Sequence, residues 1–288
     1  MTGELFENEA LRPGFLSLSS GSSGNCYFLG RFRGSKCEGG ILIDAGVSLR
    51  RLKKILFDEG ISTDCIEAVL VTHDHMDHIR SLASYCKKLC KPVWTSRTIA
   101  AALSGKTYYL ADMGVVPGIL EEGEWNAIAG FGVRYFVVPH DASQTIGYYI
   151  KVPLDCGEHT FFIMTDAGRV TDEAVEYASK AETVVFESNY DMDMLLQGPY
   201  PADLKRRIMD GNGHLSNDEC ASAVKRFCHK GLRNLFLCHL SENNNTPRLA
   251  FDTTAAALEE LCRNSRIEKG AVCLRPLPRT SSSGLIWL

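Results

Sequence analysis

The sequence has no uninterrupted apolar run of about 18 residues, the length that a membrane-spanning helix requires. Its first residues, MTGELFENEA, are acidic and lack the apolar segment of a secretory signal. We therefore expect neither a signal peptide nor contact with a membrane.

Cysteine pairs of the CxxC type are also absent, although the chain contains 11 cysteines. The cysteines lie mostly within apolar stretches, and their number is odd. In a reducing cytosol, free cysteine behaves as a small buried hydrophobe. This usage predicts a cytoplasmic location.

The sequence has no excess of positive charge, since 31 Lys and Arg residues face 35 Asp and Glu residues, a net charge of −4. This balance excludes a general polyanion binder, so contact with nucleic acid requires a local positive patch. Apolar residues make up 45% of the chain and charged residues 23%, which is typical of a globular protein. No linker rich in Pro, Gly or Ser divides the chain, and we expect residues 1–288 to form one domain.

Short apolar runs alternate with segments of helical periodicity, and part of this pattern occurs twice. ILIDAGVSLRRLKKIL resembles FIMTDAGRVTDEAVEYA, each reading as a strand, an Asp-Ala-Gly turn and a helix. EAVLVTHDHMDHI and ETVVFESNYDMDML then form a second matching pair. Two similar β-rich halves, each covered by helices, predict an α/β fold, a four-layered αββα sandwich built by duplication.

The same patterns predict several individual elements. One helix is expected over residues 79–89, and successive antiparallel strands are expected within residues 133–164. Ser216 and Glu219 form a capping-box pattern that begins a helix ending near Phe227. Thr246 and Pro247 supply an N-cap and a first-turn proline for the last helix.

Residues 73–78, His-Asp-His-Met-Asp-His, directly follow an apolar strand and contain four potential metal ligands. On an extended chain His73 and His75 point to the same side, so both can bind one ion. A turn then brings Asp77 and His78 to a second ion. Imidazole and carboxylate ligands without thiolate suit zinc, manganese or iron. A solvated polar turn with chance histidines is the simpler alternative, but three of the six residues are histidine.

Three more potential ligands, His140, Asp166 and His239, each follow an apolar run. Active-site residues collect at such strand ends in α/β proteins. Assigning His73, His75 and His140 to one ion and Asp77, His78 and His239 to the other, with Asp166 as the bridge, predicts two divalent metal ions. Each ion then keeps an open coordination position for water.

Residues outside this ligand set suggest phosphodiester chemistry. The SSGSSGN segment offers Ser22, Ser23 and Asn25 in a glycine-rich loop, which could bind a phosphate as an anion nest or simply form a hairpin turn. His214 precedes a helix, where it could contact phosphate, protonate a leaving oxygen, or merely occupy a loop. Basic runs such as RRLKK and LKRR lie on predicted helices and are weaker indications.

The HDHMDH run, followed by His, Asp and His in this order, resembles the metallo-β-lactamase superfamily. The resemblance covers the chain from Phe15 to about Leu261. The strings SGSSGN, THDHMDHI, PHDA, ESN, GPYP and GHLSN are similar to those of the YycJ/WalJ-type subgroup, which resembles two-metal DNA exonucleases acting on 5′ ends. The resemblance implies that Asp44 orients the HDHMDH loop without binding metal. Tyr190 departs from the subgroup, in which histidine tends to follow ESN.

These observations predict a metal-dependent hydrolase, a two-metal phosphodiesterase that acts as an exonuclease on DNA in preference to RNA. Asp77 would ligate one ion and orient the attacking water, and His214 would assist the leaving group. Hydrolysis of a thioester, lactone or carboxylic ester is the alternative, because the same centre can attack a carbonyl carbon. A metal-binding regulatory protein without catalysis is an alternative of another class.

Overall fold

The structure is a computed structural model that describes residues 9–105 and 115–288. In these residues two seven-stranded mixed sheets form the centre of the protein. The first sheet has the order β14-β1-β2-β3-β4-β5-β6 and the strands β1 (Leu11–Ser19), β2 (Cys26–Arg33), β3 (Lys36–Ile43), β4 (Ile66–Leu70), β5 (Val93–Thr95), β6 (Gly118–Ile119) and β14 (Ile286–Trp287). The second has the order β13-β12-β11-β10-β9-β8-β7 and the strands β7 (Asn126–Ile128), β8 (Phe131–Val138), β9 (Thr145–Pro153), β10 (Glu158–Met164), β11 (Thr183–Glu187), β12 (Asn234–Cys238) and β13 (Cys273–Pro276).

Helices flank the two sheets and complete the predicted αββα layers. Those in the described ranges are α1 (Leu49–Asp58), α2 (Met76–Ile79), α3 (Leu82–Leu89), α4 (Arg97–Gly105), α5 (Asp172–Ala178), α6 (Met192–Gln197), α7 (Ala202–Met209), α8 (Asn217–Phe227) and α9 (Pro247–Arg263). None of these helices combines the length and apolar character needed to cross a membrane.

The repeat seen in the sequence corresponds to the same topology in each half. β3 pairs in parallel with β4 in the first sheet, and β10 pairs in parallel with β11 in the second. A helix, α1 or α5, follows the Asp-Ala-Gly turn in each case. The predicted duplicated α/β sandwich is therefore confirmed. The matching Asp-Ala-Gly turns follow β3 in the first sheet and β10 in the second.

The largest core lies between the sheets. The Phe15 ring from β1 packs on Phe161 from β10 and Phe236 from β12, at centroid distances of 5.3 and 5.5 Å. A second core packs the outer face of the second sheet against α5, α8 and α9. Because these apolar side chains are buried and closely packed, they hold the two sheets in a fixed position relative to each other, including the ends of their strands.

Most predicted elements agree with the structure, and the exceptions have local causes. The capping box of Ser216 and Glu219 begins α8, which ends at Phe227 as predicted. The helix predicted over residues 79–89 is present as α3, which ends at Leu89 as predicted but begins only at Leu82, since the separate helix α2 ends at Ile79. Strands β13 and β14 carried no sequence signal, since they are only four and two residues long.

Candidate metal centre

All seven predicted ligands converge where strands of the two sheets end. The HDHMDH segment follows β4, while His140, Asp166 and His239 follow β8, β10 and β12. Because the sheets pack face to face, these strand ends meet over a common cleft. The structure therefore brings the predicted residues together from both halves of the chain.

The ligand atoms form two neighbouring groups. His73, His75 and His140 offer ligand atoms within 4.8 Å of one another. Asp77, His78, Asp166 and His239 do the same. The histidines and Asp77 divide as the sequence analysis assigned them, and Asp166, expected as a bridge, falls in the second group. Such His and Asp clusters indicate divalent metal binding.

Asp166 lies between the two groups. Its Oδ2 is 3.1 Å from His78 Nε2, and its Oδ1 is 3.9 Å from His140 Nε2 and 3.4 Å from His239 Nδ1. One carboxylate therefore approaches a member of each histidine group. This position is the one that a bridging ligand requires.

Three buried imidazole nitrogens in the centre have no hydrogen bond to any described residue, namely Nε2 of His73, His140 and His239. Their Nδ1 atoms are all engaged, by Thr72 Oγ1 at 3.0 Å, the Gly213 carbonyl at 2.8 Å and Glu187 at 2.9 Å, respectively. Metal-ligating histidines are oriented in this way, with one nitrogen held by an oxygen and the other left for the ion. The residues present therefore fit divalent metal.

The backbone around Asp77 explains why α2 and α3 do not form one helix. The Asp77 carbonyl accepts a hydrogen bond from the Asn25 amide at 2.8 Å, and the His78 carbonyl accepts from Ala45 at 2.7 Å. In a continuous helix these carbonyls would instead accept hydrogen bonds from the backbone N–H groups four residues later. Their use by Asn25 and Ala45 therefore interrupts the helix. Gly46 permits this approach, because a Cβ there would lie 1.7 Å from the Asp77 carbonyl oxygen.

Asp44 lies behind the metal centre, as the resemblance implies. It is fully buried, and its Oδ2 accepts hydrogen bonds from His78 Nδ1 at 2.7 Å and from Thr72 Oγ1 at 2.8 Å. Its Oδ1 accepts from the Thr72 amide at 2.8 Å. The carboxylate therefore fixes the His78 ring while both of its own oxygens are used.

Charge in the centre is balanced by protons in the metal-free chain. Burial lowers the pKa of His73 and His140, so both rings are neutral and can bind metal. Burial alone would also lower the pKa of His239, but the Asp166 carboxylate and further acceptors raise it to about 10. The pKa of His78 is raised well above its ordinary value, since Asp166 and Asp44 outweigh its burial. Metal binding at these two histidines would release protons.

The predicted substrate residues occupy different environments. Ser22 lines the cleft, whereas Ser23 is exposed and lies outside the cleft lining. Asn25 is fully buried, and its Nδ2 lies 3.1 Å from Asp77 Oδ2 and 2.8 Å from His78 Nε2. Asn25 does not line the cleft, because its side chain is buried against the centre-facing atoms of two predicted ligands. Tyr190, only 2% exposed, packs away from the cleft lining.

Glu187 is the residue that sequence reasoning missed. It is fully buried at the end of β11, and its Oε1 accepts from His214 Nδ1 at 2.8 Å and from His239 Nδ1 at 2.9 Å. Its Oε2 accepts from the Ala167 amide at 2.8 Å. Burial would raise the pKa of Glu187, but the adjacent His214 and His239 lower it, so the side chain is ionised. The available signal was a carboxylate at the end of an apolar strand, comparable to Asp166, which lies just beyond β10.

His214 is close to the metal centre and open to solvent. Its side chain is 22% exposed, and its ring centroid lies 5.0 Å from that of His140 and 5.1 Å from that of His239. A third group of potential ligand atoms combines Asp166, Glu187, His214 and His239. The cleft in front of these groups, about 280 Å³, is lined by Ser22, His75, Asp77, His140, Asp141, Asp166, Asn189, Tyr200, Leu204, Arg207, Ile208, Gly213, His214, His239 and Ser241.

Comparison with known proteins places this geometry in context. Residues 40–239 match the β-lactamase superfamily domain. The chain is 30% identical to exodeoxyribonuclease YycJ of Bacillus anthracis over 250 residues, which are 85% of this chain and 89% of that protein. It is also 30% identical to exodeoxyribonuclease WalJ of Streptococcus pneumoniae over 244 residues, 84% of this chain and 87% of that protein.

A solved structure of the same fold extends over nearly the whole chain. The metallo-β-lactamase fold protein YhfI from Bacillus subtilis superimposes with a TM-score of 0.64 and 16% identity. The superposition covers 96% of this chain and 100% of that protein. At this identity the likeness concerns the fold alone, and it agrees with the two-sheet architecture described above.

Proposed function

This chain belongs to the β-lactamase superfamily, and we propose that it is a two-metal phosphodiesterase that degrades DNA from an end. Metal-dependent nuclease chemistry follows from the family, from the exodeoxyribonucleases at 30% identity and from the His and Asp clusters. The observation that carries the finer proposal is the set of three buried Nε2 atoms without hydrogen bonds to described residues, in a centre where the Asp166 carboxylate approaches a histidine of each group. The exonuclease names of the relatives support end-directed action on DNA.

In this proposal His73, His75 and His140 would hold one ion, Asp77, His78 and His239 would hold the other, and Asp166 would serve both. Zinc, manganese and iron all suit this donor set. Divalent ions bound here would supply an acidified water and neutralise charge on a phosphate. Asp44 would fix His78 through Nδ1, the nitrogen that faces away from the ions, and Asn25 would hold the oxygen of Asp77 that faces the centre.

The chain's own groups would complete the reaction. Asp77, 20% exposed at the cleft, would orient the attacking water through the oxygen that faces the centre. His214, hydrogen-bonded to Glu187, would give a proton to the leaving oxygen or contact the phosphate. The described residues that line the cleft include only two aliphatic side chains, Leu204 and Ile208, and this polar lining favours a phosphodiester over an acyl thioester.

The test combines metal analysis with a nuclease screen on the full chain. We expect two ions per chain after loading with Mn²⁺ or Zn²⁺, degradation of linear DNA, and no cleavage of covalently closed circles. Asp166→Ala should lose both ions and the nuclease activity together. Asp252→Ala, an exposed change on α9 where Asp252 pairs with Arg248, is the matched control and should behave as wild type.

Each component of the proposal can fail separately. One tightly bound ion under excess metal would contradict the two-metal scheme. Rapid hydrolysis of thioesters or lactones without cleavage of DNA or RNA would establish the alternative reaction. Full metal occupancy without turnover of any substrate would indicate the regulatory alternative.

A further inference from the structure

Arg207 on α7 is the one permanently cationic side chain among the described residues that line the cleft. Its side chain is 66% exposed at the rim. Three lining carboxylates, Asp77, Asp141 and Asp166, face the same space. A polyanionic substrate therefore meets a local cation at this position before it reaches the acidic interior.

Asp141 holds the Arg207 guanidinium at the rim. Arg207 Nε donates to Asp141 Oδ2 at 2.5 Å, and Nη2 contacts the same oxygen. The other oxygen, Oδ1, lies 3.4 Å from His140 Nε2 and 3.9 Å from His75 Nε2. One carboxylate thus places the guanidinium beside two histidines of the metal centre, so Arg207 lies next to the space that a reacting phosphate would occupy.

The guanidinium keeps donors for a second anion. Arginine has five N–H donors in a planar fork, and Asp141 engages the edge formed by Nε and Nη2. Within the described ranges no acceptor contacts Nη1 of Arg207. A phosphate oxygen can accept from these remaining donors while the contact with Asp141 is retained, and such charge-assisted bonds are strong.

We propose that Arg207 binds the phosphate next to the scissile one and thereby selects a polynucleotide over a small phosphodiester. The inference rests on the proposed nuclease function and assigns α7 as the wall along which the strand leaves the metal centre. Arg206 provides a natural comparison, because it is adjacent on α7 but pairs with Asp203 and lies outside the cleft lining.

The experiment compares Arg207→Ala with the matched control Arg206→Ala in the metal-loaded full chain. The substrates are a short single-stranded oligonucleotide and thymidine 5′-(p-nitrophenyl phosphate), whose phosphodiester has no neighbouring phosphate. Arg207→Ala should raise KM for the oligonucleotide by about 10–100-fold, the loss expected for a charge-assisted bond. The rise of KM for the thymidine ester should be much smaller.

Salt dependence and direct binding provide readouts beyond turnover. Removing one phosphate contact should reduce the slope of log(kcat/KM) against log salt by about 0.7 for a single strand. Arg207→Lys should keep this slope but recover only part of the affinity, because lysine lacks the planar fork. Fluorescence anisotropy with the oligonucleotide and chelator-treated protein should show weaker binding for Arg207→Ala than for Arg206→Ala.

The outcomes separate this inference from the proposed function. Equal effects of the Arg207→Ala and Arg206→Ala substitutions, in a wild-type protein that degrades DNA, overturn the role of Arg207 alone. A wild-type protein that cleaves no DNA overturns the proposed function, and the anisotropy comparison still decides whether Arg207 contacts the strand. Equal rises of KM for oligonucleotide and thymidine ester would assign Arg207 to the scissile phosphate and overturn the inference.

Discussion

Replacing Glu187 by glutamine tests whether this buried carboxylate positions His214 and His239. Both oxygens of the Glu187 carboxylate accept hydrogen bonds. Oε1 accepts from the imidazoles of His214 and His239. Oε2 accepts from the Ala167 amide at 2.8 Å and from the Leu215 amide at 3.4 Å. A carboxylate satisfies both pairs because both of its oxygens are acceptors. A glutamine amide has one acceptor oxygen and can satisfy only one pair.

Either orientation of the amide in Glu187→Gln has a cost. If its NH₂ faces the backbone, the Ala167 and Leu215 N–H groups lose their acceptor, and each unsatisfied buried donor costs about 1–3 kcal/mol. If its NH₂ faces the imidazoles, His239 Nδ1 must become an acceptor and its proton moves to Nε2. That nitrogen then cannot bind metal. We therefore expect the free energy of unfolding to fall by about 2–5 kcal/mol, or metal affinity to fall by about 10–100-fold.

Three measurements on Glu187→Gln distinguish these costs: urea unfolding of the metal-free protein, metal affinity by chelator competition, and kcat on DNA and on an activated p-nitrophenyl diester. A positioning role predicts a larger kcat loss on DNA, whose leaving group needs the His214 proton. Glu219→Gln is the matched control, since glutamine also completes a capping box. Wild-type metal affinity together with wild-type unfolding in Glu187→Gln would refute the reasoning.

Three further predictions concern neighbouring groups. His214→Ala should keep both ions but lower kcat on DNA by about 10²–10⁴-fold, with a smaller loss on the activated diester; equal losses would contradict a leaving-group role. Gly46→Ala should lower both the melting temperature and metal affinity, since its Cβ would lie 1.7 Å from the Asp77 carbonyl oxygen; calorimetry showing an unchanged protein would contradict that packing. The metal-free protein should lose stability as pH falls below about 4. Folding lowers the pKa of Asp77 and of Asp166, so the two carboxylates stabilise the folded protein only above the pKa that an aspartate has in the unfolded chain. A urea midpoint that stays constant from neutral pH to pH 3 would disprove this.

The metal centre could be predicted because its residues combine two independent signals. Each ligand is of a type rarely left unpaired at the end of a buried strand, and His73, His75, Asp77 and His78 also have a distinctive spacing. Strand ends are visible in apolar patterning, so the ligands of both halves could be identified before their contacts were known. Because one metal ion needs several ligands, these residues from both halves were expected to lie together in the fold.

Glu187 and Asn25 could not be assigned in this way because their roles depend on contacts between segments distant in sequence. Glu187 reaches His214 and His239 only because β11 pairs with β10 and β12 in the second sheet. Asn25 is buried only because the Asp77 backbone crosses the loop that follows β1, where Gly46 leaves space for it. Sequence patterning predicted the loop that contains Asn25, but it did not predict that the backbone at Asp77 packs over this loop.

The duplicated Asp-Ala-Gly turn illustrates how tertiary contacts divide the roles of identical local structures. Asp44 and Asp166 both adopt left-handed backbone conformations, with φ of 62° and 55°. Strand β4, beside the first turn, leads to His78, which covers Asp44 and uses its carboxylate as a support. Strand β11, beside the second, leads to Glu187, which accepts from the amide after Asp166 and leaves that carboxylate facing the metal centre. The turn is local, but the residue to which the neighbouring strand leads decides whether the aspartate of the turn supports a histidine or faces the cleft.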